Sequence, residues 1–133
     1  MNLAIHGIEG KIIESNSFYS NPHDLVGKCD FVIANPPFNV NKVDKKKDFV
    51  KTDKRLFKYF GLQKVDNGNY LWIQYFYHYL NAQGCAVFVM ASSATVAGMS
   101  EKLIRQNLIE TGDVDCIMAI CNNFFYTRSL PIW

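Results

Sequence analysis

The feature that most constrains this chain is a short apolar run, residues 31–34, which is followed directly by Asn35, Pro36 and Pro37. Proline has no backbone N–H group, and it forces the residue before it into an extended conformation. The pattern therefore predicts a buried strand that ends at residue 34. Beyond that strand we expect a stiff, extended rim that cannot continue the hydrogen-bonded ladder of a sheet.

Predicted strands and helices alternate along the chain, which is typical of an α/β protein. The strand candidates are apolar without alternation, as expected for parallel strands that are covered on both faces. We therefore expect a doubly wound layer with a mostly parallel sheet and a ligand site beyond the carboxyl ends of its strands. The predicted strands are residues 11–14, 31–34, 85–90, 114–120 and a start near 130–133, and the predicted helices are 70–80 and 101–110.

Both predicted helices have suitable residues at their ends. Asn67 or Asn69 can cap the start of the first helix, and Gly84 can end it. Ser100 can cap the second helix, and Gly112 can end it. The first helix is apolar nearly all round, so we expect it to be buried on most sides.

The sequence Asn35-Pro36-Pro37-Phe38 can bind and activate a planar amino group. The side-chain oxygen of Asn35 and the backbone carbonyl of Pro36 can each accept one hydrogen of the same amine. Two fixed acceptors orient the nitrogen and favour its nucleophilic form, which is the general electrostatic device of enzyme sites. The ring of Phe38 offers a flat face on which a flipped base can stack. The alternative is an ordinary turn, because Asn-Pro is also a turn signal.

A second candidate site is a basic segment within the long polar stretch of residues 39–66. Residues 42–58 hold eight Lys and Arg against three Asp, although the whole chain has a net charge of only +2. Such a segment is a candidate for contact with the phosphates of double-stranded DNA. The alternative, from charge alone, is a solvated loop. The candidate DNA-contacting residues are Lys45, Lys46, Lys47, Lys51, Lys54 and Arg55.

The cysteines and the apolar runs exclude several classes of protein. Cys29, Cys85, Cys116 and Cys121 form no Cys-x-x-Cys pair and have no histidine at ligand spacing, so we expect neither a metal site nor a disulfide framework. No apolar run is long enough to cross a bilayer, and no signal peptide is recognisable. We therefore expect a cytoplasmic protein with reduced thiols and no contact with a membrane.

The tetrapeptide and the strand before it resemble the amino-methyltransferase signature Asn/Asp-Pro-Pro-Tyr/Phe/Trp. The resemblance extends over nearly the whole chain, including the sequence that begins at Asn69 and residues 84–89, and it is closest to the modification subunit of type I restriction–modification systems. It implies a partial Rossmann-like fold that depends on S-adenosyl-L-methionine. The implied reaction moves a methyl group from that cofactor to N6 of a flipped adenine in DNA.

The resemblance also implies roles for individual residues and partners. Residues 35–38 would be the catalytic rim, with Phe38 stacking on one side of the base and Phe125 on the other; Phe124 or Tyr126 are alternatives to Phe125. Asn16 stands where the family has an acidic residue that contacts the adenine of the cofactor, and it could still form hydrogen bonds. Specificity and restriction subunits would be partners in the parent complex.

The chain departs from the family in one large respect. It contains no Gly-x-Gly, whereas the family holds the methionine part of the cofactor with a glycine-rich loop. We therefore expect residues 1–133 to be the central fragment of one methyltransferase domain, without the first strands and inactive when isolated. The predicted strand at 11–14 would then detach, or it would pair with another chain and give a homodimer through the exposed sheet edge.

Two other functions stay open at this point. The fragment could be a non-catalytic module that binds DNA or a partner subunit through its basic segment. A relative that methylates glutamine side chains of proteins would use a similar rim, although Phe38 and the sequence near Phe125 favour DNA.

Overall fold

The computed structural model describes residues 2–44, 46–57, 68–95 and 98–120. Short helices and loops surround a small sheet. The elements are α1 (Asn2–Ile5), β1 (Cys29–Ala34), α2 (Asp48–Thr52), α3 (Lys54–Phe57), α4 (Asn69–Tyr79), β2 (Leu80–Phe88), a 3-10 turn (Ser92–Thr95) and α5 (Met99–Glu110).

The sheet of the described residues consists of β1 and β2, which pair in parallel. A parallel pair needs a crossover connection, and α4 forms the part of it that leads into β2. The register is regular from Phe31 onward and irregular near Cys29. At that irregularity, a Cβ atom on Gly84 would lie 2.6 Å from the Cys29 carbonyl oxygen, so glycine is needed for the close approach. The α/β class predicted from the sequence is confirmed.

The helix predictions are correct in position and partly wrong at the ends. The helix α4 spans Asn69–Tyr79, but Gly84 lies within β2 because the chain enters that strand directly at Leu80. Its N-cap is Gly68. The N-cap of α5 is Gly98, so Ser100 lies inside the first turn. Gly112 follows the end of α5 with a φ of 79°, which confirms the predicted termination.

Two predicted strands are not formed. Residues 11–14 are exposed and have no regular secondary structure, and the same holds for most of residues 114–120, where only Ile120 forms an isolated bridge. A strand needs a neighbour to satisfy its backbone N–H and C=O groups, and no described strand lies beside residues 11–14. The candidate strand near residue 130 lies outside the described residues.

One face of the sheet is open within the described part of the chain. Phe31, Ile33 and Val87 share this face, and their side chains are 75%, 85% and 64% exposed. The other face is covered by α4, where the rings of Phe76 and Phe88 lie 5.0 Å apart. The expectation that both faces are covered is therefore wrong for the described residues, because helical cover lies on one side only.

The core consists of two clusters that share α4. This arrangement confirms that α4 is buried on most sides, because its residues face both clusters. The first cluster lies under the basic segment, and the second lies between α4 and α5. The buried residues are Phe18, Val43, Val50, Leu56, Leu71 and Tyr75 in the first cluster, and Tyr70, Met90, Ala94 and Ile104 in the second.

A buried ion pair lies at the edge of the first cluster. Arg55 is 0% exposed, and its Nη2 lies 2.6 Å from Oδ2 of Asp53. The guanidinium also donates to the carbonyl of Ser17 at 2.9 Å and to the hydroxyl of Tyr79 at 2.8 Å, and it lies 4.0 Å from the ring centroid of Tyr75. Burial alone would lower the pKa of Arg55, but the hydrogen bond and charge of Asp53 outweigh it and raise that pKa.

The prediction that Arg55 contacts DNA is therefore wrong. All of its charge is directed inward, and a phosphate cannot reach a side chain with no exposed surface. Its neighbour Lys54 is exposed and stays in the candidate set.

We expect Arg55→Leu to lower the free energy of unfolding by about 3–5 kcal/mol, because it leaves the carboxylate of Asp53 buried and unpaired. The matched control is Lys54→Leu in the same helix, which should change it by about 0.5 kcal/mol or less because Lys54 is exposed. Urea denaturation followed by circular dichroism measures both. If both variants lower the free energy of unfolding by the same small amount, the ion pair does not stabilise the core.

Candidate functional site

The candidate site lies where the two strands end. Since β1 and β2 run parallel and Ala34 pairs with Phe88, both strands end at the same edge of the sheet. One more ladder bond, from the N–H of Val89 to the carbonyl of Ala34 at 3.1 Å, closes this edge. Asn35 follows immediately beyond it, as the apolar run and the prolines predicted.

The four motif residues, 35–38, alternate between exposed and buried or half-buried positions, as expected for the rim of a site. Pro36 is buried and fixes the segment to the protein, whereas Asn35 and Pro37 are exposed and Phe38 is half-buried. A ligand can therefore reach the carboxamide of Asn35 at the end of the sheet. The chemistry that this arrangement permits is the acceptance of hydrogen bonds from a planar amine, with a ring beside it for stacking.

The loop after the motif is tied to α4. The backbone N–H of Asn39 donates to Oδ1 of Asn69 at 2.9 Å, and Nδ2 of Asn69 donates to Oδ1 of Asn39 at 3.0 Å. The hydroxyl of Ser93, in the turn after β2, donates to the same Oδ1 at 3.0 Å. The sequence did not predict this contact, because its pattern indicated only a helix-capping role for Asn69.

The turn after β2 lies against the loop that follows the motif, and two side chains hold it. The hydroxyl of Tyr70 donates to the carbonyl of Ala94, and Nη1 of Arg105 donates to the carbonyl of Thr95. Burial raises the pKa of Tyr70 further above neutral pH. Sequence patterns placed both residues in predicted helices but did not predict these contacts.

A cleft of about 760 Å³ lies between residues 14–19 and residues 37–43. It brings together Asn16 and Pro37, two of the residues singled out in the sequence. Oδ1 of Asn16 accepts a hydrogen bond from the backbone N–H of Phe18 at 3.0 Å, which orients its amide. The remaining lining residues are Glu14, Ser15, Phe18, Tyr19, Val40, Asn41, Lys42, Val43 and Trp72.

The basic segment is an exposed surface over part of its length. Four candidate lysines, Lys46, Lys47, Lys51 and Lys54, are exposed, whereas Lys45 lies outside the described residues. Nζ of Lys47 lies 4.0 Å from the ring centroid of Tyr19. Nζ of Lys51 lies 3.7 Å from a carboxylate oxygen of Asp48. These surface contacts are weak, so the lysines can exchange them for phosphates.

Phe125, with its alternatives Phe124 and Tyr126, also lies outside the described residues. Among the residues that the structure does describe, no group of three or more His, Cys, Asp or Glu side chains could hold a metal ion. No helix in the same part of the chain has both the length and the apolar character needed to span a membrane.

The family model described as N-6 DNA Methylase matches residues 1–133. The chain belongs to this family. The resemblance inferred from the motif and the strand before it is therefore confirmed.

Similar proteins come from an archaeon and from bacteria. The type I restriction enzyme MjaIX methylase subunit of Methanocaldococcus jannaschii is 38% identical over 138 residues, which cover 99% of this chain and 24% of that protein. The type I restriction enzyme HindI methylase subunit of Haemophilus influenzae is 29% identical over 139 residues, which cover 100% of this chain and 30% of that protein. This N-6 DNA methylase chain thus spans less than a third of these curated relatives.

A solved structure shows the same fold. The crystal structure of the type I restriction-modification system methyltransferase subunit from Streptococcus thermophilus matches with a TM-score of 0.85 at 21% identity, over 98% of this chain and 28% of that chain. The partial α/β methyltransferase fold expected from the sequence is therefore confirmed.

The cleft can be tested for its fit to the methyl donor that methyltransferases of this family use. Its volume lies in the range of small-molecule sites, roughly 300–1,000 Å³. The half-buried rings of Tyr19 and Trp72 and the amide of Asn16 suit a flat adenine ring with hydrogen-bonding edges. The chain has no Gly-x-Gly for the methionine end. The residues present therefore fit the adenine end of the cofactor.

Proposed function

We propose that this chain is the base-binding part of a DNA methyltransferase that modifies N6 of adenine within a restriction–modification system. Residues 1–133 would be the central fragment of its catalytic domain. The observation that carries the proposal is the position of Asn35 in an N-6 DNA methylase chain. It is exposed at the common end of two parallel strands and directly precedes the buried Pro36.

The motif residues would act on the target base in three ways. The Asn35 oxygen and the Pro36 carbonyl accept the two amino hydrogens, so they orient the nitrogen and concentrate its lone pair. Pro37 keeps the rim extended, and Phe38 stacks on the flipped base. S-adenosyl-L-methionine supplies the methyl group when it is bound. Asn35 and Pro36 would hold the amino group for transfer of that methyl group, and the amine would lose one proton as it takes the methyl group up.

Two further residues of this chain and other subunits complete this proposal. Asn16 would contact the adenine of the cofactor, and Phe125 would stack on the second face of the base. The substrate would be double-stranded DNA in the cytoplasm. Specificity and restriction subunits would be the partners, as the names of the relatives support.

We expect Asn35→Ala, in a full-length subunit that contains this segment, to lower the methylation rate at saturating cofactor by about 10²–10³-fold, because one fixed acceptor is lost. Calorimetry should show unchanged affinity for S-adenosyl-L-methionine. The control is Asn81→Ala, since Asn81 lies near the opposite end of the sheet, where its amide donates to Asp30. A methylation rate unaffected by Asn35→Ala would end the assignment.

The exposed lysines favour a second function, DNA binding by this chain without catalysis. Removing two phosphate contacts should reduce the slope of log affinity against log salt by about 2. We expect this for the double variant Lys46→Ala with Lys54→Ala, measured by fluorescence anisotropy with duplex DNA. The control, Lys28→Ala with Lys102→Ala, removes the same charge outside the basic segment. Equal slopes for both variants would exclude the segment as the binding surface.

We also propose that a second copy of the chain pairs with the open edge of β1, which has a strand neighbour only on the β2 side in the described part. In such a dimer the exposed side chains of Phe31 and Ile33 would gain neighbouring side chains from the added strand on the same face of the sheet. Light scattering should then give about twice the chain mass of 15.2 kDa. A monomer at all concentrations would contradict this pairing and leave the edge to another segment of the parent protein.

A further inference from the structure

The amides of Asn39 and Asn69 form a closed, reciprocal pair across 30 residues of sequence. Each asparagine both donates to and accepts from the other, at 2.9 and 3.0 Å. Asn69 is only 2% exposed and is the first residue of α4. Hydrogen bonds shielded from water hold their geometry better than surface contacts do, and leaving one partner unmatched is costly.

The pair is joined by two further contacts at the same place. The Ser93 hydroxyl donates to Oδ1 of Asn39 at 3.0 Å, and the N–H of Gly68 donates to the carbonyl of Val40 at 2.7 Å. The loop after the motif is therefore held from α4 on one side and from the turn after β2 on the other.

The backbone at Asn39 shows what this arrangement fixes. Its φ is 54°, in the left-handed region that asparagine tolerates better than most side chains. The N–H bound by Asn69 belongs to the peptide unit that joins Phe38 to Asn39. Holding that peptide plane restricts ψ of Phe38, and with it the direction in which the aromatic side chain leaves the backbone.

We infer that Asn39, Asn69 and Ser93 are positioning residues that set the orientation of Phe38 before DNA arrives, an inference that rests on the proposed base-binding function. The substrate class is a planar base stacked on a preformed ring. Preorganisation matters because a displacement of about 1 Å can reduce a rate by about 10²-fold.

Two aspartate variants with the same change in charge separate this role from general stability. Asn39→Asp keeps an oxygen that can accept from Asn69 and Ser93. Asn69→Asp removes the Nδ2 donor and places a carboxylate oxygen against Oδ1 of Asn39. Both variants add one negative charge near DNA, so they should raise the KM for DNA by similar factors.

The first measurement is amide hydrogen exchange by NMR in the 133-residue chain. In Asn69→Asp, the amides of residues 38–40 should exchange about 10-fold faster, while those of residues 71–79 keep their rates. Asn39→Asp should resemble the unchanged chain. Equal exchange at residues 38–40 in all three proteins would overturn the inference.

The second measurement is methylation by a full-length subunit that contains this segment. We expect Asn69→Asp to lower kcat by about 10²-fold with little change in the KM for the cofactor, and Asn39→Asp to keep kcat within about 3-fold. Equal kcat values in the two variants would overturn the inference. If the unchanged subunit does not methylate adenine, the proposed function fails, while hydrogen exchange still decides whether Asn69 holds the loop.

Ser93→Ala covers the case in which Asn69→Asp does not fold. Ser93 is exposed, so its loss should not affect folding, but it removes a donor to Asn39. We expect a loss in kcat of about 3- to 10-fold. An unchanged kcat in this variant, with unchanged exchange at residues 38–40, would contradict the positioning role.

Discussion

The parallel pairing of β1 with β2 is the constraint on which the other features depend. A parallel pair requires the chain to return to the starting end of the sheet, so α4 must cross over before β2 begins. The pairing also brings the carboxyl ends of both strands to one edge. The rim at Asn35 and the turn at 92–95 are neighbours for that reason, although they are almost sixty residues apart in sequence.

The buried ion pair attaches the highly charged basic segment to a small core. Burying Arg55 and Asp53 is costly, and the cost is offset only because several acceptors surround the guanidinium. The contact with Ser17 also joins this segment to residues 14–19, one side of the cleft. Val50 and Leu56 are fully buried beside it, so the lysines around them are displayed on an anchored surface.

Local signals predicted the parts of the fold that depend on local physics. The end of β1 at residue 34, the span of α4 and the termination of α5 at Gly112 follow from proline, apolar residues and glycine acting on their own neighbours. Residues 11–14 form no strand because a strand also needs a partner, and this agrees with the expected detachment of that segment. Arg55 was misassigned because a charge run has the same appearance whether or not one member is buried against Asp53.

The two halves of the candidate site also differ in whether helices or strands of their own hold them. Asn69, Tyr70 and Arg105 hold the rim and the turn, and they lie on α4 and α5, on the covered side of the sheet. The open face with Phe31 contributes none of these contacts. The cleft around Asn16 instead depends on residues 14–19, which have no strand or helix of their own and are tied by side chains such as Arg55, which donates to the carbonyl of Ser17. The rim at residues 35–38 is therefore held by the described helices and the turn, whereas the geometry of the cleft around Asn16 depends on what else is packed against it.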